Sequence, residues 1–310
     1  MRPPDFWKSR GPLALLLSPL GMLYGLSVAV KAGGTPWRCS ARVICVGNLT
    51  AGGSGKTPVA IAVAQSLLAR GDKVFFLTRG YGGRQSGPLL VRDQNAAEVG
   101  DEALLLARTA PTIVAHDRAE GAKLAVAQGA QVVVMDDGHQ NFALAKDVSL
   151  VVVDGETGSG NGLMIPAGPL REPVGQGLSR ADAVIVIGDG NPDLEKFSSC
   201  VLRARLTAEG TDFQGKRVFA FAGIGRPEKF IASLKASGAI VTGTRFFADH
   251  HPYTAAEIAD LRREAQDAIL VTTEKDLVRL TPGMRAGIAV LRVRAAFDDA
   301  ALLDRLVAAV

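Results

Sequence analysis

The sequence predicts an α/β fold: a mainly parallel sheet with helices on both faces, a smaller C-terminal α/β unit and an apolar N-terminal helix. Three observations carry this. From Arg42 onward, short Val/Ile-rich runs alternate with amphipathic stretches, the pattern of buried parallel strands joined by crossover helices. The 310 residues are enough for about two domains at roughly 150 residues each. With 47% apolar and 21% charged residues the chain can fill a core, which excludes a disordered protein.

In chain order, ARVICVGN is the first strand, TPVAIAVAQSLLARG a helix ending at Gly71, and KVFFLTRG the next strand. Strands follow at PTIVAH, AQVVVMDD, VSLVVVD and DAVIVIG, with helices at EVGDEALLLART and RAEGAKLAVAQG between them. The polar, glycine-containing segment RARLTAEGTDFQG, residues 203–215, is expected to be a connection. Beyond it come the strand KRVFAFAGIG, the helix RPEKFIASLKASGA and the strand IVTGTRFF. A helix at TAAEIADLRREAQ, a strand at AILVTTE and a final helix at DDAALLDRLVAAV complete the chain. The expected organisation is an N-terminal segment over 1–35, a core over 36–208 and the smaller unit over 209–310.

Charge is unevenly placed. The net charge is +4, yet residues 1–42 alone carry Arg2, Lys8, Arg10, Lys31, Arg38 and Arg42 against Asp5, leaving the rest of the chain at −1. A nucleic-acid-binding body is therefore not expected, and the 5% aromatic content lacks stacking platforms for single strands. No obligate protein partner is evident. Cys39, Cys45 and Cys200 form no CxxC pair, so neither a disulfide framework nor a zinc site is expected and a reducing compartment fits.

Between Arg10 and Lys31 runs an uncharged stretch long enough to span a bilayer, interrupted by Pro19, Gly21 and Gly25. A cleaved signal peptide, a buried core helix and a membrane-associated helix with basic flanks are the three readings. The membrane reading is favoured, because export would carry the nucleotide site that follows away from ATP.

That site is Thr50-Ala51-Gly52-Gly53-Ser54-Gly55-Lys56-Thr57, placed between a strand and a helix. Glycines let backbone N–H groups turn toward phosphate oxygens, Lys56 reaches the β/γ-phosphates and the Thr57 hydroxyl suits Mg²⁺. The sheet is accordingly of the P-loop NTPase type, although Thr50 stands where the strict pattern has glycine. Ala51 excludes the deviant ATPases that carry a lysine there. Thr273-Glu274-Lys275-Asp276 has an extra residue between Thr and Lys compared with a guanine-reading TKxD loop, which favours ATP.

Asp136 and Asp137 end an apolar strand downstream of the loop, where carboxylates hold Mg²⁺. Gly100-Asp101-Glu102 opens a helix and by itself reads as capping. Thr78-Arg79-Gly80-Tyr81-Gly82-Gly83 is a phosphate- or substrate-facing loop, and Gly168-Pro169-Leu170-Arg171-Glu172-Pro173 fixes two charges between prolines. Asp249-His250-His251 suggests an acid–base element completed when the two units close. His116 and His139 are expected to be structural or to line the substrate.

The stretches FWKSRGPLALLLSPLGMLYG, VGNLTAGGSGKTPV, TRGYGG, GDEALLLA, MDDGHQN, GPLREP, RADAVIV, FADHHPY and TTEKDLVRL occur in an order that resembles the tetraacyldisaccharide 4′-kinase family of lipid A biosynthesis. The resemblance covers residue 6 to about 280. It implies transfer of the ATP γ-phosphate to the 4′-hydroxyl of a tetraacylated disaccharide 1-phosphate, at the cytoplasmic face of the inner membrane. Carried over by resemblance, Lys56 and Thr57 hold ATP and Mg²⁺, Asp136 and Asp137 belong to the metal site, and Glu172 lies near the metal beside Arg171. Asp101 and His250 form the pair that accepts the hydroxyl proton, while Tyr81, Arg118, Gln140 and Arg171 contact substrate or phosphate. The family commonly reads DDGFQH, so His139 and Asn141 depart from it. Two other readings are a soluble P-loop kinase of another small molecule and a nucleotide-driven switch protein.

Overall fold

A computed structural model describes residues 4–190, 192, 200–210 and 212–308; Arg2, one of the basic N-terminal residues, lies outside them. Among the described residues twelve strands form one sheet. They are β1 (Arg42–Gly47), β2 (Val74–Thr78), β3 (Leu89–Leu90), β4 (Thr112–Val114), β5 (Val132–Asp136), β6 (Val148–Asp154), β7 (Ala183–Ile187), β8 (Val201–Glu209), β9 (Arg217–Ala222), β10 (Ile240–Phe246), β11 (Ile269–Thr273) and β12 (Ile288–Phe297). The order across the sheet is β10-β9-β11-β12-β8-β7-β6-β1-β5-β2-β4-β3.

The central strands β5, β6 and β7 are buried along their whole length, as continuous Val/Ile runs demand when both faces are covered. Helix Lys56–Ala69 covers one face, packing Val59, Val63 and Leu67 with Ile44, Val134 and Ile185. Helix Arg118–Ala127 covers the other, where Ala122 and Ala125 meet Val133 and Met135. Because β1 and β5 are parallel, with Val46 opposite Asp136, the phosphate loop and the acidic strand end emerge at the same edge. That edge is where open α/β sheets bind ligands.

The structure corrects the sequence reading at the junction of the two units. Residues 203–209 are not a connection but most of β8, which pairs parallel with β7 and antiparallel with β12. Strand β12 was not expected from sequence. The β8–β12 pair fuses two parallel sub-sheets into one, the second being β12-β11-β9-β10. Its faces are closed by helix Pro227–Ala236 through Phe230 and Leu234, and by helix Ala255–Ala265 through Ile258 and Leu261. The last helix, Ala300–Ala308, returns to the first unit, burying Leu303 and Val307 in the cluster under helix 56–69.

The N-terminal helix spans Pro12–Ala32, 21 residues or about 31 Å at 1.5 Å rise per residue. It is not a core helix. Only Ala14, Gly21, Gly25 and Val28 are buried, while Leu16, Met22, Leu23, Leu26 and Val30 are each more than 60% exposed. The buried stripe rests on Met164. A Cβ on Gly21 would stand 2.8 Å from the Met164 carbonyl oxygen, so the helix approaches that closely only because residue 21 has no side chain. The preceding segment is tied to the same loop: Trp7 Nε1 donates to the Pro166 carbonyl at 2.9 Å and Arg10 Nε to the Asn161 carbonyl at 2.9 Å.

Gly21→Val should push the helix off this loop, at a cost of about 1–3 kcal/mol for overpacking. Thermal unfolding in detergent measures it, with Gly11→Ala, which meets nothing within 4 Å, as the control that stays near wild type.

Candidate active site

The phosphate loop runs from Asn48 to Gly55, whose left-handed backbone (φ 85°) caps the helix beginning at Lys56. The first-turn amides of that helix have no acceptor within it and face the loop. Asn48, buried, ties the loop internally: its Nδ2 donates to the Thr50 carbonyl at 2.7 Å and to Ser54 Oγ at 2.9 Å. Residues 169–171 tie it externally. The Ala51 N–H donates to the Pro169 carbonyl at 2.7 Å, the Arg171 N–H to the Leu49 carbonyl at 2.8 Å, and Thr50 bridges Leu170. Gly52 and Gly53 complete the loop, with Gly53 exposed.

Below it, the Thr57 hydroxyl donates to Asp136 Oδ2 at 3.3 Å, both residues being buried. Asp136 Oδ1 is buried without a hydrogen-bond partner. Burial first, then the Glu102 charge, pushes its carboxyl up to about 7. An orphaned, desolvated carboxylate beside the loop hydroxyl is the donor chemistry a hard divalent cation needs, so Thr57 and Asp136 fit Mg²⁺.

Asp137 is differently placed. Its Oδ1 lies 3.6 Å from Lys56 Nζ and 2.8 Å from Arg171 Nη1. Burial works to raise its pKa, but Lys56 and Arg171 prevail and hold it down at about 2. Glu172 is buried and gripped by Arg180, with Gln140 Nε2 donating to its Oε1 at 2.8 Å. The same Gln140 amide donates to the Asn48 carbonyl at 2.8 Å. Of the four residues expected at the metal, Thr57 and Asp136 contact each other, Asp137 is engaged by Arg171 and Glu172 by Arg180. Among the described residues no group of three or more His, Cys, Asp or Glu side chains stands together.

Arg118, at the start of its helix, is 4% exposed, and its Nε has no hydrogen-bond partner. Burial, aided by Arg79, lowers its pKa to about 10. His139 is fully buried between Ser149 Oγ at 3.0 Å and the Gly177 carbonyl at 2.9 Å, and burial lowers its pKa to about 4. It is a neutral structural histidine. Asn141 serves a turn, its Oδ1 accepting from the Leu144 N–H at 3.3 Å. His116 is exposed.

Asp101 and His250, 149 residues apart, meet across the two units, with Nδ1 3.1 Å from Oδ2. Gly100 makes the approach: at φ 84° a Cβ there would lie 2.4 Å from the Tyr81 carbonyl oxygen, so the TRGYGG loop folds directly onto the start of helix Asp101–Leu106. Tyr81 is 66% exposed, and its ring centroid is 5.5 Å from that of His250. Burial alone would raise the Asp101 pKa, yet the His250 hydrogen bond with the Arg279 and Lys275 charges holds it well below the usual carboxylate range.

Sequence reasoning missed the residues that hold this pair. They lie on helix Glu274–Arg279: Arg279 contacts Asp101 through Nε at 3.0 Å and through Nη2, and Lys275 Nζ contacts Glu102 at 2.6 Å. The available signal was the i,i+4 spacing of Lys275 and Arg279 behind the Thr273 cap, which sets two cations on one helix face.

A parallel sheet with a phosphate loop, an adjacent desolvated carboxylate and an Asp–His pair defines a P-loop phosphotransferase. The model of the family described as Tetraacyldisaccharide-1-P 4′-kinase matches residues 13–310, and the chain belongs to that family. A tetraacyldisaccharide 4′-kinase of Paramagnetospirillum magneticum is 51% identical over 99% of this chain and 98% of its own length. One from Methylobacterium radiotolerans is 52% identical, covering 98% and 97%. The solved LpxK of Aquifex aeolicus in complex with ATP superposes with a TM-score of 0.78 at 25% identity, covering 96% of this chain and 99% of that one.

The depressed Asp101 pKa fixes a sign. Its ion pairs stabilise the fold above the unfolded-state value near 4 and lose that contribution as pH falls below it. Asp101→Asn should destabilise by about 3–5 kcal/mol at pH 7, since it leaves Arg279 buried and underpaired. Urea unfolding should show the gap to wild type narrowing below about pH 4.

Proposed function

We propose that the protein transfers the γ-phosphate of ATP to the 4′-hydroxyl of a tetraacylated glucosamine disaccharide 1-phosphate, giving lipid IVA in lipopolysaccharide synthesis. The observation that carries this is the Asp101–His250 pair, assembled from two units at the phosphate-loop edge of a chain of this family. Phosphoryl transfer is chiefly positioning and charge neutralisation. Lys56 and the amides of its helix hold the β/γ-phosphates, and Arg171, bridged to Lys56 through Asp137, adds a second cation. Thr57 and Asp136 hold Mg²⁺, which when bound neutralises charge on the phosphates.

The proton of the sugar hydroxyl goes to His250. The Asp101 oxygens are already engaged, Oδ2 by His250 and Arg279, Oδ1 by the Glu102 N–H at 3.0 Å. With Nδ1 bonded to Asp101, Nε2 is the nitrogen that accepts, from a ring left 30% exposed. Tyr81 offers an exposed ring beside it for the sugar, and the desolvated Arg118 with Gln140 offers contacts to substrate or phosphate.

The N-terminal helix suits a lipid acceptor. Its mean hydropathy of 2.0 and exposed leucines would be costly in water, and they belong in acyl chains with Lys8, Arg10 and Lys31 at the headgroups. The enzyme accordingly works at the cytoplasmic face of a bacterial inner membrane.

Purified protein in mixed micelles, given γ-labelled ATP and tetraacyldisaccharide 1-phosphate, should label the lipid, and Lys56→Ala should reduce labelling by at least about a hundredfold. ATP hydrolysis without labelled lipid would overturn the assignment in favour of a nucleotide-driven switch or a different acceptor.

A further inference from the structure

Arg279 sits where it can act on the reaction without touching substrate. Its side chain is 5% exposed, and its guanidinium is committed on every side. Nε and Nη2 contact Asp101 Oδ2, while Nη1 donates to the Gly223 carbonyl at 2.7 Å and to Asp276 Oδ1 at 3.0 Å. Asp276 is itself fully buried and held by the Gly223 N–H at 2.9 Å and the Tyr253 hydroxyl at 2.7 Å. The Gly223 carbonyl also accepts the His250 N–H at 3.0 Å. One carbonyl therefore anchors both the arginine and the histidine, setting their separation around Asp101.

We propose that Arg279 is a positioning residue that shares the Asp101 carboxylate with His250 and so limits how tightly that carboxylate holds a proton on the imidazole. This rests on the Asp101–His250 reading above. A buried carboxylate facing a histidine alone stabilises the imidazolium, and an imidazolium cannot accept a proton. A guanidinium on the same oxygen offsets part of that charge toward the ring and fixes the carboxylate's orientation. The other groups facing His250 are Asp249, whose Oδ1 is 3.7 Å from Nε2, and the Tyr81 ring; the Glu102–Lys275 pair lies beside Asp101.

The test is the pH profile of kcat/KM for lipid phosphorylation by Arg279→Gln, Arg279→Lys and His250→Ala, with the KM for ATP measured alongside. In Arg279→Gln the acidic limb should move up by about one pH unit, with an approximately tenfold loss on the limb that shrinks as pH rises. The KM for ATP should stay unchanged. Arg279→Lys keeps the charge, so its limb should stay at the wild-type position while kcat drops a few-fold. A pH-independent loss in Arg279→Gln, a wild-type profile in it, or an equal limb shift in Arg279→Lys would overturn the proposal. Wild-type turnover by His250→Ala would instead sink the acid–base pair on which it rests. An inactive His250→Ala beside an unshifted Arg279→Gln would sink the Arg279 role alone.

Discussion

The carboxylate of Asp101 is where the two halves of the molecule join chemically. It is buried, and a buried charge persists only if it is paired and hydrogen-bonded. Its partners, Arg279 and His250, come from the second unit, whereas Asp101 opens a helix of the first. Neither half can satisfy the charge alone. The β8–β12 pair supplies the mechanical continuity that lets them meet, and Glu102–Lys275 and Asp154 with Arg226 and Lys229 repeat the pattern of first-unit carboxylate to second-unit cation.

The phosphate end solves the opposite problem. There positive charge must be gathered without a substrate present to neutralise it. Lys56 and Arg171 share Asp137, while Arg180 is spent on Glu172, so these three cations are neutralised by carboxylates. Asp136 is the exception, kept unpaired and pushed toward neutrality by burial until a cation arrives. The loop at 161–171 links this end to the N-terminal helix: Met164 lies under Gly21 and Gly25, and Leu170 bridges Thr50.

The buried parallel strands were legible because residues covered on both faces must be apolar throughout, and the loop because few sequences outside phosphate sites need those glycines ahead of Lys-Thr. Strands β8 and β12 were not. The alternating Arg203 and Arg205 make half of β8 read as a polar connection, and Arg292 and Arg294 break the apolar run of β12, so that no strand is expected there. The six-residue helix carrying Lys275 and Arg279 is too short to show periodicity. Its pairing with Asp101 spans 178 residues, which no local pattern encodes. Glu172 is expected near the metal by resemblance, and its contacts to Arg180 and Gln140 come from chain segments that no local pattern links to it. The N-terminal helix was recognisable by composition, but its thin docking stripe appears only once Met164 is seen beneath it.

In the proposed mechanism Asp101, ionised and shared, holds His250 with its proton on Nδ1 and Nε2 open to the substrate. Two-bond proton–nitrogen NMR correlation on ¹⁵N-histidine protein reads this directly, because the two ring nitrogens of each tautomer give distinct shifts. The four histidines can be separated by comparison with His250→Ala. The expected result is the His250 tautomer with Nδ1 protonated and Nε2 bare. A proton on Nε2 in the neutral ring would contradict it, since that nitrogen could then take nothing from the sugar hydroxyl.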